Sequence, residues 1–318
     1  MLRFLTYLVF SAILFGPLTP TSSLADEAQK SVLVTGASTG IGRHLAETLA
    51  EAGHHVYAGA RKDEDLAALN AIDNITAVRL DVTRQDEIDA VVALIEKAGT
   101  GLYGLVNNAG IGDGDTVTGT PVEVQTLVYE VNVEGVYRVT KAFAPLVMAA
   151  NGRIATTGSI AGTLSWPGGS AYSGSKHWIE AFTDALAGEM APHGVQVSVI
   201  QPGNFQSRIR RSAIQRQQAR IIDADGEMTP EMESQYAATE ERELSYQQPD
   251  AVSAAFMHAL FDDQPLRRYM VVPNAQEQQM TIATKIQQLV QLNEWGEFSY
   301  SEDELVSMLQ AAMESDSP

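Results

Sequence analysis

The sequence contains no cysteine among its 318 residues, and this absence removes several kinds of chemistry at once. Disulfide bonds, thiolate nucleophiles, zinc–sulfur sites and iron–sulfur clusters all need cysteine, so none of them is available to this chain. No His, Asp and Glu spacing typical of a metal site occurs either, and we assign no metal. The lack of cysteine does not decide the redox compartment, because a protein without disulfides can fold on either side of a membrane.

Basic residues are also scarce. The chain has 21 Lys and Arg against 40 Asp and Glu, which gives a net charge of −19. A protein that binds nucleic acid would need a strong basic patch to overcome this balance. The dense basic stretch at residues 208–220 lies beside acids and glutamines, so we expect no nucleic-acid partner.

The first 25 residues differ from the rest of the chain. Arg3 precedes an almost entirely apolar run at residues 4–16, two prolines follow, and Ser23-Leu24-Ala25 offers the small residues that signal peptidase prefers. The run is shorter than the roughly 20 residues that span a bilayer. We interpret residues 1–25 as a signal peptide cleaved before Asp26, which predicts an exported, periplasmic or secreted protein. The alternatives are an uncleaved anchor, which would be the only contact with a membrane, and a misplaced start codon.

Between residues 31 and 272, short apolar runs alternate with longer patterns of helical spacing. This alternation is typical of an α/β domain in which helices cover both faces of a parallel sheet. We predict a single domain at residues 26–318, with a polar helical insertion at 204–248 and C-terminal helices at 275–318. The helix at 275–292 packs on its own domain or, alternatively, on a partner subunit. Strands are predicted at 31–35, 55–59, 76–80, 102–106, 153–157, 195–200 and 269–272, and the main helices at 43–51, 63–70, 85–98, 131–149, 171–190 and 251–261.

A glycine-rich loop at residues 35–42 lies between the first predicted strand and the first predicted helix. In this context Gly36 permits a tight turn, and Gly40 and Gly42 let the backbone approach a pyrophosphate at the helix N-terminus. The loop therefore predicts a dinucleotide site on a doubly wound sheet of the Rossmann type. An ordinary glycine-rich turn is the alternative interpretation.

The residues after the second strand discriminate between the two nicotinamide cofactors. A carboxylate there would bind the ribose 2′-hydroxyl of NAD, whereas the first charged groups in this chain are Arg61 and Lys62. A guanidinium pairs well with a phosphate, which favours NADP, although NAD remains possible because Asp63 follows closely. Asp81, which closes the third strand, is expected to accept a hydrogen bond from the adenine amino group.

Tyr172 and Lys176 are four residues apart on a predicted helix and therefore share one face. A free tyrosine has a pKa near 10, and a nearby ammonium group favours its phenolate. Ser159 follows a predicted strand at its carboxyl end, where it can bind a substrate oxygen. Together these groups can move a proton on an alcohol oxygen while a nicotinamide exchanges hydride with the carbon. A Tyr and Lys pair at this spacing is also a common surface contact.

The glycine loop, Asn107-Asn108-Ala109-Gly110, Asn132, Ser159, the Tyr172 and Lys176 pair and Pro202-Gly203 occur in the order and spacing of one family. The chain resembles the single-domain branch of the short-chain dehydrogenase/reductase family over residues 31–203, and more loosely over 249–272. The resemblance implies that Tyr172 is the acid/base, that Ser159 orients the substrate oxygen, and that Asn132 helps to hold a proton-relay water. It further implies that Lys176 holds the nicotinamide ribose and lowers the pKa of Tyr172. The expected cofactor contacts are Gly36, Ser38, Gly40, Ile41, Gly42, Arg61, Asp81, Val82, Asn108, Ala109, Gly110, Tyr172, Lys176, Pro202 and Gly203.

Within the family, the stretches 57–61 and 104–111 look like those of steroid- and retinol-dehydrogenase-related members. By that likeness we expect an oxidoreductase that acts on a lipophilic secondary alcohol or ketone with NADP(H), and a homo-oligomer. The alternative is a nicotinamide-nucleotide-binding sensor or scaffold without turnover. We assign no chemical role to Asp113 and Asp115, which lie in a glycine-containing loop.

Overall fold

The computed structural model describes residues 29–314. The predicted signal peptide and the last four residues lie outside the described residues. Among the described residues, no helix combines the length and the apolar character needed to span a membrane.

Seven parallel strands form the central sheet, in the spatial order β3-β2-β1-β4-β5-β6-β7. The order reverses between β1 and β4, and in open α/β sheets this is the point at which ligands bind, beyond the carboxyl ends of the strands. The predicted doubly wound parallel sheet is thereby confirmed. The strands are β1 (Ser31–Val34), β2 (His55–Ala60), β3 (Ile75–Arg79), β4 (Gly104–Asn107), β5 (Arg153–Thr157), β6 (Gln196–Pro202) and β7 (Arg268–Val271).

Helices cover both faces of this sheet, and each face has its own apolar core. Within β1, Val32 and Val34 pack with one set of helices, whereas Leu33 packs with the other, as the two-residue repeat of a strand requires. All three side chains are fully buried, which explains why the strands read as continuous apolar runs. The helices up to β6 are α1 (Gly40–Glu51), α2 (Asp63–Asn70), α3 (Gln85–Ala98), α4 (Val122–Tyr129), α5 (Val136–Ala149) and α6 (Ser170–Met190).

The helical region before β5 differs from the prediction. We expected one helix at 131–149, but helical structure begins at Val122, directly after Pro121. A π-helical turn, Glu130–Gly135, joins α4 to α5. Such turns are often found at functional sites, and this one carries Asn132. The sequence does not reveal it, because the inserted turn breaks the apolar spacing on which the prediction rests.

The polar segment 204–248 contains two helices, α7 (Ile209–Asp225) and α8 (Pro230–Leu244), in agreement with the predicted helical insertion. The remaining helices are α9 (Asp250–Phe261), α10 (Ala275–Asn293) and α11 (Glu302–Glu314). Helix α10 is tied to the body at its N-terminus, where Glu277 accepts hydrogen bonds from the backbone and side-chain nitrogens of Asn204 at 2.9 and 3.0 Å. Of its residues only Thr281 is buried, so its packing on its own domain is limited.

Candidate active site

The glycine loop between β1 and α1 packs directly against the residues that follow β4. Gly36 has a φ of +64°, and a Cβ atom there would lie 2.8 Å from the Cα of Ala109. A Cβ at Gly42 would lie 2.2 Å from the amide nitrogen of Asn108. Only glycine fits these two positions without displacing backbone or the Asn108 amide. The result is a narrow backbone cradle at the sheet's reversal point, as a pyrophosphate requires.

Hydrogen bonds fix the shape of this cradle. The hydroxyl of Thr35 accepts from the backbone nitrogens of Asn108 and Ala109 at 2.9 and 3.0 Å. The Asn108 side chain donates to the carbonyls of Thr35 and Gly36 at 3.0 and 3.1 Å, and it accepts from the Thr157 hydroxyl at 3.1 Å. The ends of β1, β4 and β5 are thus joined at one point. Asn108 acts here as a brace for the loop.

A cation and an anion lie side by side at the carboxyl ends of β2 and β3. The guanidinium of Arg61 is 67% exposed and lies 3.6 Å from a carboxylate oxygen of Asp81. Burial acts to raise the pKa of Asp81, but hydrogen bonds from Thr83 and the charge of Arg61 outweigh it, and the pKa is lowered. Asp81 is therefore ionised at neutral pH, and Arg61 keeps most of its surface free for a further anion.

Three groups that could handle a proton meet at the carboxyl end of β5. Ser159 begins a short 3-10 turn, Ile160–Gly162, and its hydroxyl accepts from the backbone of Ala161 at 3.1 Å. Tyr172 lies in the first turn of α6, and the Ser159 side chain is near enough to act on its pKa, in the direction of lowering it. Lys176, one turn further along, has its ammonium 5.8 Å from the centre of the Tyr172 ring. Tyr172 is therefore not sealed in apolar packing but faces the same cleft as the glycine loop.

The pKa of Tyr172 differs from the expectation. Burial raises it, and the Ser159 side chain and the charge of Arg210 only partly oppose that effect. We expected the ammonium of Lys176 to lower this pKa. In the chain alone burial prevails, and the opposing charge belongs to Arg210, which comes from the polar segment after β6.

Lys176 is a buried cation. Its side chain is 5% exposed, and its ammonium donates to the carbonyl of Thr157 at 2.8 Å. Burial lowers the pKa of Lys176 to about 8, while the charge of Glu180 acts in the opposite direction. A lysine of this kind can gain or lose a proton near neutral pH.

Asn132 lies behind the cleft and is 1% exposed. Its amide oxygen accepts from the backbone nitrogen of Ile111, and its amide nitrogen donates to the carbonyl of Ile111, both at 2.8 Å. A third hydrogen bond, at 3.0 Å, reaches the hydroxyl of Ser175 on α6. Asn132 thus ties the π-helical turn to the loop after β4 and to the helix of Tyr172.

The structure brings the other predicted site residues into one cleft. All of them except Asn132 line the cleft at the carboxyl edge of the sheet. The residues concerned are Gly36, Ser38, Gly40, Ile41, Gly42, Arg61, Asp81, Val82, Asn108, Ala109, Gly110, Ser159, Tyr172, Lys176, Pro202 and Gly203.

Comparison with known proteins then decides the family. The family described as short chain dehydrogenase matches residues 30–218, more than half of the chain. The chain belongs to the short-chain dehydrogenase family. A nicotinamide cofactor fits the cradle described above.

Among its relatives, this short-chain dehydrogenase is 33% identical over 251 residues to the uncharacterized oxidoreductase YbbO of Escherichia coli K12, covering 76% of this chain and 86% of the relative. It is 39% identical over 200 residues to the mitochondrial D-beta-hydroxybutyrate dehydrogenase of Bos taurus, covering 60% of this chain and 58% of the relative. The match therefore spans less than two thirds of that relative's length. A solved short-chain dehydrogenase of Streptomyces avermitilis superimposes with a TM-score of 0.68 at 28% identity, covering 84% of this chain and 97% of the other.

Several cleft residues of this dehydrogenase were not predicted from the sequence. They come from the segment that leaves β6 and enters α7, namely Phe205, Ser207, Arg208, Ile209, Ser212 and Arg216. Ile209 and Tyr172 both lie beside Gly112, because a Cβ there would be 3.5 Å from Ile209 Cγ1 and 3.8 Å from Tyr172 Cδ2. The signal available in the sequence was a run of arginines in a polar helix, which carries no apolar period to show which face points inward.

Asp113, to which we assigned no role, is a structural centre of the cleft's rim. Its carboxylate is 2% exposed and receives both terminal nitrogens of the Arg220 guanidinium, at 2.9 and 2.8 Å. The Arg216 Nε atom donates to it at 3.2 Å, and the Arg216 Nη2 atom donates to the carbonyl of Gly112 at 2.6 Å. Asp113 thus joins α7 to the loop that follows β4.

Proposed function

We propose that this short-chain dehydrogenase transfers hydride between NADP(H) and a secondary alcohol or ketone, with Tyr172 as the acid/base. The observation that carries the proposal is that Tyr172 and Ser159 line the same cleft, which the glycine loop also borders, and that Ser159 is near enough to act on the pKa of Tyr172. Two hydroxyls that share one cleft wall can bind a single substrate oxygen. That oxygen is the atom that must gain or lose a proton when its carbon is reduced or oxidised.

The residues divide the work as follows. Ser159 donates a hydrogen bond to the substrate oxygen and holds it beside Tyr172. In the direction of oxidation, the Tyr172 phenolate takes the hydroxyl proton; in reduction, the phenol donates it. A nicotinamide, when bound, supplies or accepts the hydride. Arg210 supplies the positive charge that favours the phenolate of Tyr172, and Lys176, which lines the same cleft, would hold the nicotinamide ribose.

NADP is our proposal for the cofactor, and Arg61 supports it. Arg61 and Asp81 are the charged residues lining the cleft at the ends of β2 and β3. The nearby acids are engaged elsewhere: Asp63 pairs with Arg79, and Glu64 pairs with Lys62 at 3.3 Å. A mostly exposed guanidinium at this point suits a 2′-phosphate better than a bare ribose hydroxyl.

The test is the turnover of Tyr172→Phe. We expect the rate of alcohol-dependent NADPH formation to fall at least ~100-fold, in line with the usual worth of acid–base catalysis, while NADPH still binds in a fluorescence titration. The matched control is Tyr129→Phe, since Tyr129 packs beside α6 at Gly174 but does not line the cleft. Retained activity in Tyr172→Phe refutes the assigned role. Binding of NADPH by the wild type without turnover on any alcohol or ketone would instead favour the sensor or scaffold.

We propose a lipophilic body for the substrate. Ile111, Val131, Phe205 and Ile209 are apolar parts of the cleft lining, and Ile209 lies close to Tyr172. Apolar walls around a few oriented polar groups are typical of small-molecule sites. A series of secondary alcohols of increasing chain length checks this: kcat/KM should rise with length, and a flat series would contradict it.

We also propose a homo-oligomer and an exported protein. Apolar side chains on α10 and α11 are exposed, including Ile286 at 52%, Leu289 at 49% and Leu309 at 54%, and exposed apolar patches of this kind often mark protein interfaces. Light scattering on the chain with and without residues 294–318 tests the first proposal, and an unchanged mass refutes the role of α11.

Sequencing of the native N-terminus tests the second: Asp26 supports export, and Met1 contradicts cleavage.

A further inference from the structure

At the rim of the cleft, positively charged side chains outnumber the carboxylate that they pair with. Arg216 and Arg220 both bind the single carboxylate of Asp113. Arginine stays protonated in proteins, so the cluster carries one excess positive charge. Burial acts to lower the pKa of Arg216, the charges of Arg220 and Arg61 act in the same direction, and only Asp113 opposes them. Asp113 is thus shared by two guanidinium groups, whereas Arg61 has a carboxylate of its own in Asp81.

The two arginines of the cluster differ in which of their guanidinium nitrogens lack a hydrogen-bond partner. Arg220 spends both of its terminal nitrogens on Asp113. Arg216 uses Nε for Asp113 and Nη2 for the carbonyl of Gly112, while its Nη1 atom has no hydrogen-bond partner within residues 29–314. Arg216 lines the cleft, and Arg220 does not. Arg216 is therefore a cleft-lining guanidinium that is held at Nε and Nη2, and its Nη1 atom is left for a further acceptor.

Arg216 also lies close to the reacting centre. Its Nη2 atom is 2.6 Å from the carbonyl oxygen of Gly112, and Gly112 is in turn adjacent to Tyr172, since a Cβ placed on it would lie 3.8 Å from Tyr172 Cδ2. Towards the other end of the cleft, the charge of Arg61 reaches Arg216. A small molecule bound at Tyr172, or a dinucleotide lying along the cleft, would pass within reach of this guanidinium.

We propose that Arg216, held in place by Asp113 and the Gly112 carbonyl, binds an oxyanion on a molecule in the cleft, either a carboxylate of the substrate or the 2′-phosphate of the cofactor. The proposal rests on the proposed function and extends it, because it adds an anionic group to what the cleft recognises. Both groups accept two parallel N–H hydrogen bonds, which suits a guanidinium whose orientation is already fixed. Asp113 is then a positioning residue for Arg216.

Binding measurements test this without turnover. The cofactor arm compares the Kd values of NADPH and NADH, obtained from fluorescence titrations. The substrate arm compares butyrate with its neutral isostere butyramide by calorimetry, with and without NADPH. If Arg216 holds the 2′-phosphate, Arg216→Gln lowers the preference for NADPH over NADH by about tenfold and leaves butyrate unaffected. If it holds a carboxylate, the preference for butyrate over butyramide falls by a similar factor and the cofactor preference stays.

The matched control is Arg220→Gln. Arg220 binds the same carboxylate as Arg216 and carries the same charge, but it does not line the cleft. Its substitution should leave both preferences within about twofold of the wild type. Arg216→Lys keeps the charge and should restore part of the lost preference, which a purely structural role would not. The proposal is overturned if the wild type shows neither preference, if both survive in Arg216→Gln, or if Arg220→Gln reduces them equally. Failure of the proposed function appears separately, in the turnover of Tyr172→Phe.

Discussion

Replacing Lys176 with methionine should make the protein more stable at neutral pH while removing its activity. The side chain is 5% exposed, and burial lowers its pKa from 10.5 to about 8. Below pH 8 the folded and unfolded chains both hold the proton, and the folded chain bears the full desolvation of the charge. Between about pH 8 and 10.5 only the unfolded chain holds it, so stability rises with pH. A pKa difference of this size corresponds to about 3 kcal/mol at pH 7 and about 1 kcal/mol at pH 10.

Urea unfolding of the wild type and Lys176→Met at pH 7 and pH 10 measures this difference. Methionine also loses the hydrogen bond to the carbonyl of Thr157, a loss of about 1 kcal/mol. Any difference between the ammonium and the amine as donors is already contained in the folded-state pKa of about 8, so the two pKa values alone set the change with pH. The free energy of unfolding of the wild type, relative to the variant, should therefore rise by about 2 kcal/mol from pH 7 to pH 10. An equal stability difference at the two pH values would refute the reasoning, because it would mean that the ammonium is not desolvated.

Three further variants test separate parts of the site. Arg61→Asp should shift the NADPH/NADH ratio of kcat/KM towards NADH by at least about tenfold, whereas Lys62→Asp, the same charge change outside the cleft lining, should not; equal ratios in both would contradict the phosphate contact. Gly36→Ala should lower the free energy of unfolding by more than Gly99→Ala, because both have a positive φ but only the first meets other atoms, at 2.8 Å; strain alone accounts for about 1–2 kcal/mol. Asn132→Ala leaves the backbone groups of Ile111 unpaired and should cost about 2 kcal/mol of stability, measured by urea unfolding; a neutral result would mean that water replaces the amide.

The parts of the site that were predictable are those set by local backbone geometry. A glycine pattern between a strand and a helix indicates that other atoms pack closely against the loop backbone. In the structure this close contact is the one between Gly42 and the side chain of Asn108. The four-residue spacing of Tyr172 and Lys176 likewise fixes their shared helix face, whatever the rest of the fold does. Arg61 and Asp81 follow neighbouring strands, so the sheet order alone brings them together.

The environment of the reacting groups was not predictable in the same way, because it depends on residues far apart in the chain. Lys176 was expected to set the pKa of Tyr172, but burial raises that pKa and the charge of Arg210 opposes the rise. Arg210 lies 38 positions after Tyr172, in a helix without an apolar period. Asp113 and Arg216 are 103 residues apart. Nothing in the local pattern around Asp113 distinguishes it from a solvated loop carboxylate.

This difference bears on how such a chain acquires its substrate preference. The glycine loop, Ser159, Tyr172 and Lys176 adjoin or belong to β1, β4, β5 and α6, which all lie outside the segment 204–248. Arg208, Ile209, Ser212 and Arg216 enter the cleft from that segment, and α7 is fastened to the body at its rim by ion pairs with Asp113. Changes in α7 at positions other than Arg210 can therefore alter the walls of the cleft without removing a group that acts on the pKa of Tyr172. If Ser159 and Tyr172 act as proposed, substitutions at the cleft-lining positions of α7 should change the substrate preference and leave proton transfer intact.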